Sequence, residues 1–223
     1  MRSISLLLMI GTLCMACSSL PQLYPGNGSA GPSNRTCLNN FPGGKWQFLH
    51  SIEATMPGGK HAFVMGVTVI SSDDRSIRCV ILTIEGLVVF DAAYNRRIEI
   101  KRAIPPFDSI DFAKELLKDI QLIFFKPVGP LIASGFLENG SSVCRYQISE
   151  GRTIDIITHI DHSWEIRQFS PDFQRRRTVK GLPDSKGRIA RQPGIVSRIE
   201  LTAHGSPKYE LNLDLVEAVE LIE

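Results

Sequence analysis

Over most of its length the chain alternates apolar and polar residues with period two. From Lys45 onward, Trp46, Phe48, Ile52, Ala54 and Met56 alternate with Gln47, Ser51, Glu53 and Thr55, which predicts a half-buried strand. Pro57-Gly58-Gly59-Lys60 predicts the turn after it. Setting Met56 opposite His61 across a four-residue loop places Ile52 against Met65, Phe48 against Val69 and Ala54 against Phe63, so that one face is apolar throughout. Closing Ile70 on Ile77 then puts Val80, Leu82 and Ile84 on the face of Phe63, Met65 and Val67. These strands are expected to share a concave apolar surface.

The same alternation predicts strands over residues 87–94, 98–103, 131–138, 141–148, 153–159, 164–169, 195–203 and 209–217. Asn139-Gly140 is a strong hairpin signal between two of them. For the last pair, a five-residue loop over 204–208 brings Leu201 opposite Leu211 and Ile199 opposite Leu213. Residues 170–193 carry Arg175, Arg176, Arg177, Lys180, Lys186, Arg188 and Arg191 with few large apolar groups, which predicts a long polar loop or a short helix.

One segment changes period. Pro105-Pro106 stops strand pairing, because neither residue donates a ladder bond. Asp108 or Ser109 can then cap a helix whose apolar positions Phe112, Leu116, Ile120 and Phe124 recur every four residues, flanked by Leu117 and Ile123. Pro127 ends it.

About ten or eleven antiparallel strands around one helix predict a mainly β, α+β fold. A sheet this large must curl or close. A curled sheet whose mouth is covered by this helix, with its Phe, Leu and Ile stripe, is expected to enclose an apolar pocket suited to acyl chains. The expected ligand contacts are Trp46, Phe48, Phe63, Met65, Leu82, Phe112, Leu116 and Ile120.

The N-terminus has a different grammar. Arg2 is the one charge before Arg35, and an apolar stretch over residues 4–13 follows it, as in an export signal. Leu13-Cys14-Met15-Ala16-Cys17 resembles the lipobox of bacterial lipoproteins, with small Ala16 before the cysteine that becomes acylated. Cys14 stands where that pattern usually has leucine, and cleavage without acylation is the plainer alternative. Ser18, with no aspartate there, resembles the signal for outer-membrane sorting. The expected organisation is a signal peptide over 1–16, an acylated N-terminus and flexible tether over 17–36, and one domain over 37–223.

The tether assignment rests on Pro21, Pro25, Pro32, Gly26, Gly28 and Gly31 without any charge over 18–33. A free tether of this kind reaches roughly 20–25 Å. Acylation of Cys17 leaves Cys37, Cys79 and Cys144, which permit at most one bridge, so the core rather than disulfides must hold the domain.

Composition removes other classes. A net charge of +2 is too small for a nucleic-acid binder, which needs a strong basic excess. No apolar run reaches the eighteen residues of a spanning helix. His159-Ile160-Asp161-His162 is the one local cluster of metal-ligand types, but on a strand His162 points away from the other two, and neither metal nor cofactor is expected. No nucleophile elbow, Walker loop or Cys-x-x-Cys occurs, so an enzyme is not expected. Arg175-Arg176-Arg177 is either a solvated loop or a patch for lipid phosphates.

Several of these features together resemble an outer-membrane lipoprotein family related to LolA and LolB, the periplasmic carrier and outer-membrane receptor of lipoproteins. They are the lipobox, the Trp46/Phe48 strand ending in Pro57-Gly58-Gly59, the break at Glu85-Gly86-Leu87, Pro105-Pro106-Phe107 before the helix, and a closing strand from Tyr209. The resemblance covers about residues 40–220. It implies a curled antiparallel sheet forming an incomplete, half-barrel domain with a helical lid over an acyl-chain cavity, lipid-anchored at the outer membrane and facing the periplasm. Implied partners are acyl chains or lipidated cargo, the outer membrane and a periplasmic carrier protein. In LolB an exposed leucine on a projecting loop inserts cargo; Leu87 stands near that place but is expected to begin a strand and be core. The rival expectation is a structural or adaptor lipoprotein that binds a protein partner without transferring a ligand.

Overall fold

A computed structural model describes residues 19–25, 32, 37–183 and 194–222. The expected signal peptide and Cys17 lie outside the described residues. The strands are β1 (Lys45–Met56), β2 (Lys60–Ser71), β3 (Ile77–Leu82), β4 (Val88–Asn95), β5 (Arg97–Ala103), β6 (Leu131–Phe136), β7 (Ser142–Gln147), β8 (Thr153–Thr158), β9 (Trp164–Phe169), β10 (Arg175–Leu182), β11 (Arg198–Ala203) and β12 (Tyr209–Glu220). They form a single antiparallel sheet of 12 strands in the order β5-β4-β3-β2-β1-β12-β11-β10-β9-β8-β7-β6. The first and last strands of the chain are thus neighbours at its centre. The edges, β5 and β6, do not pair with each other, so the barrel is incomplete.

The helix α1 (Ile110–Phe124) joins the two edge strands and packs on the inner face. Ser109 is its N-cap and accepts from the Phe112 amide at 3.1 Å. Phe124 stacks on Phe48 with ring centroids 4.8 Å apart, and Phe112 meets Phe90 edge-on at 5.3 Å. The buried positions of the helix are Ala113, Leu117, Asp119, Ile120, Leu122, Ile123 and Phe124, while Phe112 and Leu116 are half-buried.

The β11–β12 hairpin has the expected register: Leu201 faces Leu211 and Ile199 faces Leu213. Ile70 faces Ile77 as expected. The β1–β2 hairpin differs by one residue. Its loop has three residues rather than four, so Met56 faces Lys60, Ile52 faces Val64 and Phe48 faces Thr68. Gly58 and Gly59, at φ of 82° and 74°, allow the tighter loop. The slip transfers Phe63, Met65, Val67, Val80 and Leu82 together to the convex face, where Phe63 is 64% exposed. Small residues take their place inside. A Cβ on Gly66 would lie 2.6 Å from Ile52 Cδ1.

β10 replaces part of the expected polar loop. Arg177, Val179 and Gly181 face inward, opposite Ala203, Leu201 and Ile199. Gly181 is required there because a Cβ would meet the Trp164 ring at 2.0 Å. Leu87 is also not core: it is 51% exposed in the β3–β4 turn, beside Ile84 at 72%.

The tether expected over 17–36 is held at residues 19–25. Tyr24 and Phe136 exchange two backbone hydrogen bonds of 2.9 Å at the β6 edge. Arg145 Nη2 donates to the Pro21 carbonyl at 2.9 Å, and the same guanidinium makes a bidentate pair with fully buried Asp155. A disulfide joins Cys37 to Cys144 on the inner face of β7, at a sequence separation of 107, and Cys79 is a buried free thiol.

Candidate functional site

A cavity of about 420 Å³ lies between α1 and the β7–β10 half of the sheet. Its apolar lining comes from Phe41, Leu122, Phe125, Ile148, Ile154 and Ile166. Ile154 and Ile166 are inward positions of β8 and β9, while Leu122 belongs to the helix face turned away from Phe48. The disulfide at Cys37 fixes the segment that carries Phe41.

The polar wall is built around Arg177. Its Nε donates to Asp119 Oδ1 at 2.9 Å and its Nη2 to Glu115 Oε2 at 2.8 Å. Tyr209 donates to the other oxygen of Asp119, and the guanidinium lies over the Tyr209 ring at 5.3 Å. Burial pushes the Asp119 carboxyl above its ordinary pKa, with Arg177 opposing that shift. Burial and the neighbouring Asp119 also raise the Tyr209 phenol, which therefore stays a donor. The network pins the helix to β10 and β12.

Basic groups dominate the rest of the rim: Arg75, Lys118, Lys126, Arg152 and Arg176. Lys118 bonds Glu115 at 2.7 Å, so both acidic groups of the cavity are already paired. Arg75 donates to the Lys126 carbonyl at 3.0 Å and lies over the Phe125 ring at 4.8 Å. The arginine run is therefore divided by the strand: Arg177 is locked inward, and Arg176 reaches the cavity.

None of the residues expected to contact ligand lines this cavity. Trp46, Phe48 and Ile120 are brought together in the closed core under the helix. Phe112 and Leu116 pack beside them, half-buried, and Phe63, Met65 and Leu82 are on the convex face. Most residues that do line it come from the helix and from loops; its strand residues include Ile154 and Ile166 of β8 and β9. In β8, Thr153, Ile154, Asp155, Ile156 and Ile157 are all buried, so periodicity could not separate inward from outward positions.

Ser141 Oγ lies 2.8 Å from His159 Nδ1, and His159 Nε2 is 3.9 Å from Glu165 Oε2. This arrangement does not make an acyl-transfer site. Ser141 is 3% exposed, away from the cavity, and the Glu165 carboxylate is held by a bidentate pair with Arg167. Among the described residues no group of three or more His, Cys, Asp or Glu is placed to hold a metal, and no helix is long and apolar enough to cross a membrane.

No family model matches the sequence, and none of the curated proteins does. Among solved structures, a LolA superfamily protein from Nitrosomonas europaea matches with a TM-score of 0.52 at 11% identity, covering 86% of this chain and 94% of that one. The fold is LolA-like. A candidate outer membrane lipoprotein-sorting protein domain from Vibrio parahaemolyticus aligns with a TM-score of 0.48 at 7% identity, over 81% of this chain and 87% of that one. In this LolA-like chain the space between sheet and helix is divided. An aromatic core fills the β1–β5 side, and the cavity occupies the β7–β10 side.

Proposed function

We propose that the protein is an outer-membrane-anchored lipoprotein, facing the periplasm, that binds an acyl chain in the β7–β10 cavity and passes it on without covalent chemistry. The observation that carries this is the cavity itself, a cleft between helix and curled sheet with apolar groups on its floor and charged groups around it, in a LolA-like fold. The cargo is lipid or the acylated end of a lipoprotein, exchanged with the membrane or a periplasmic carrier protein. Acylation at Cys17 supplies the anchor, since several acyl chains hold a protein at a bilayer essentially permanently.

Docking of residues 19–25 changes how such an anchor acts. With the Pro21 carbonyl held by Arg145, only four residue steps separate Cys17 from the folded body. They reach at most about 14 Å at ~3.3–3.6 Å each. The domain then rides close to the bilayer with its β6–β7 edge nearest the anchor. Radiolabelled palmitate is expected on the wild-type chain and not on Cys17→Ser; labelling of both removes the anchor.

The acyl-binding reading is tested by native mass spectrometry of the full chain carrying Cys17→Ser, exported to the periplasm. One acyl compound per chain is expected, displaced when Ile154→Trp fills the cavity. A clean mass that takes up no added lipid favours the adaptor reading. That alternative draws on exposed apolar side chains, Phe63 on the convex face and Ile84 and Leu87 in the β3–β4 turn.

A further inference from the structure

We infer that the cavity takes a single acyl chain bearing an anionic head group, a fatty carboxylate or a lysophospholipid phosphate, rather than a neutral or multiply acylated lipid. This rests on the acyl-binding function proposed above and narrows it to one ligand class. The first argument is volume. The cavity is about 420 Å³, near the lower end of the ~300–1,000 Å³ typical of a site for one small ligand. The adjoining aromatic core around Phe48 and Phe124 is already filled, so it offers no room for the further chains of an acylated cysteine.

The second argument is charge. The cavity wall has six basic groups and two acidic ones. Both acids are consumed, Asp119 by Arg177 and Glu115 by Arg177 and Lys118. Arg75, Lys126, Arg152 and Arg176 remain, with no carboxylate of the cavity opposite them. Arg152 does contact Glu150 at 3.4 Å, but that carboxylate is 80% exposed and outside the cavity, where water screens the pair. Arg75 reaches the Lys126 carbonyl, and Lys126 and Arg152 belong to the rim, while Phe125, Leu122 and Ile154 lie with them in the same cavity. Cationic rim and apolar floor match the two ends of an ionised amphiphile, whose guanidinium contacts would be charge-assisted.

The test uses the exported full chain carrying Cys17→Ser and four probes at low salt: sodium palmitate, 1-palmitoyl lysophosphatidate, uncharged 1-palmitoylglycerol and a tripalmitoylated cysteine peptide. Calorimetry is expected to give one-to-one binding of both anions at least tenfold tighter than the glyceride, and no displacement of palmitate by the peptide. In Lys126→Gln with Arg152→Gln the anion preference falls to within about twofold, with the melting temperature unchanged; Arg152→Lys keeps most of it. Should that pair unfold the chain, raising the salt to 0.5 M on the wild type gives the same reading by shrinking the preference. Equal affinity for glyceride and palmitate would overturn the anionic head while leaving acyl binding intact. Competitive binding by the tripalmitoylated peptide would overturn the single chain. If no acyl probe binds, the proposed function fails as well. Inorganic phosphate that competes at the same concentration as lysophosphatidate would show a bare anion site and overturn the inference.

Discussion

Arg177 Nε and Asp119 Oδ1 are 2.9 Å apart, a buried ion pair that ties strand β10 to the lid helix across the inside of the sheet. The Arg177 side chain is 13% exposed and that of Asp119 5%, so both charges are largely withdrawn from water. Removing one partner leaves the other stranded, which costs about 3–5 kcal/mol. Arg177→Ala is expected to lower unfolding stability by that amount in urea titrations. Adding Asp119→Asn should return part of the loss, because the stranded carboxylate is gone. A single variant as stable as wild type would mean that the pair does not hold the helix.

His50 is buried between sheet and helix against Phe48 and Phe124, and burial lowers its pKa from 6.5 to about 4. The folded state therefore binds the proton more weakly than the unfolded chain. The stability it contributes is complete above about pH 6.5 and is lost as pH falls toward 4. On the order of 2 kcal/mol should disappear between pH 7 and pH 5. In His50→Phe that increment is expected to vanish, as read from denaturation midpoints at the two pH values; a variant with the wild-type pH slope would contradict it.

Gly135 leaves room for the N-terminal segment: a Cβ there would sit 2.7 Å from the Tyr24 carbonyl and 3.3 Å from Leu23 Cβ. Gly135→Val is expected to expel residues 19–25 from the sheet while sparing the Arg145–Asp155 pair. Hydrogen exchange should accelerate at the Tyr24 and Phe136 amides and not in β1 or β12. Unchanged protection at Tyr24 would refute the docking.

The Cys37–Cys144 disulfide closes a long loop, and loop entropy assigns such a cross-link about 4–5 kcal/mol. Reductant is expected to lower the denaturant midpoint accordingly. Cys79 behaves differently, because burial pushes its thiol up to about 12. Iodoacetamide at pH 8 should leave it unmodified in the native protein and label it in urea. Fast labelling of the folded chain would show that the core opens there.

Much of the fold was legible in the chain because local physics decides it. Alternation placed most strands, Ser109 capped the helix over Ile110–Phe124, and matching Leu201 to Leu211 had a single satisfactory register. The β1–β2 register was not legible, since β2 is apolar on both faces and alternation alone does not choose between registers; the observed one goes with the three-residue glycine turn. β10 was hidden by its arginines, because an inward Arg177 becomes acceptable only when a helix far away in sequence brings Glu115 and Asp119 to it.

The sequence by itself determined a curled antiparallel sheet with one amphipathic helix over it, because period and capping are properties of neighbouring residues. The tertiary structure decided which side of that helix is solid and which is hollow. Phe48 and Phe124 fill one side, and buried Ile154, Ile166 and Leu122 form the floor of a cavity on the other. A cavity is the volume left between elements distant in the chain, so no local pattern encodes it.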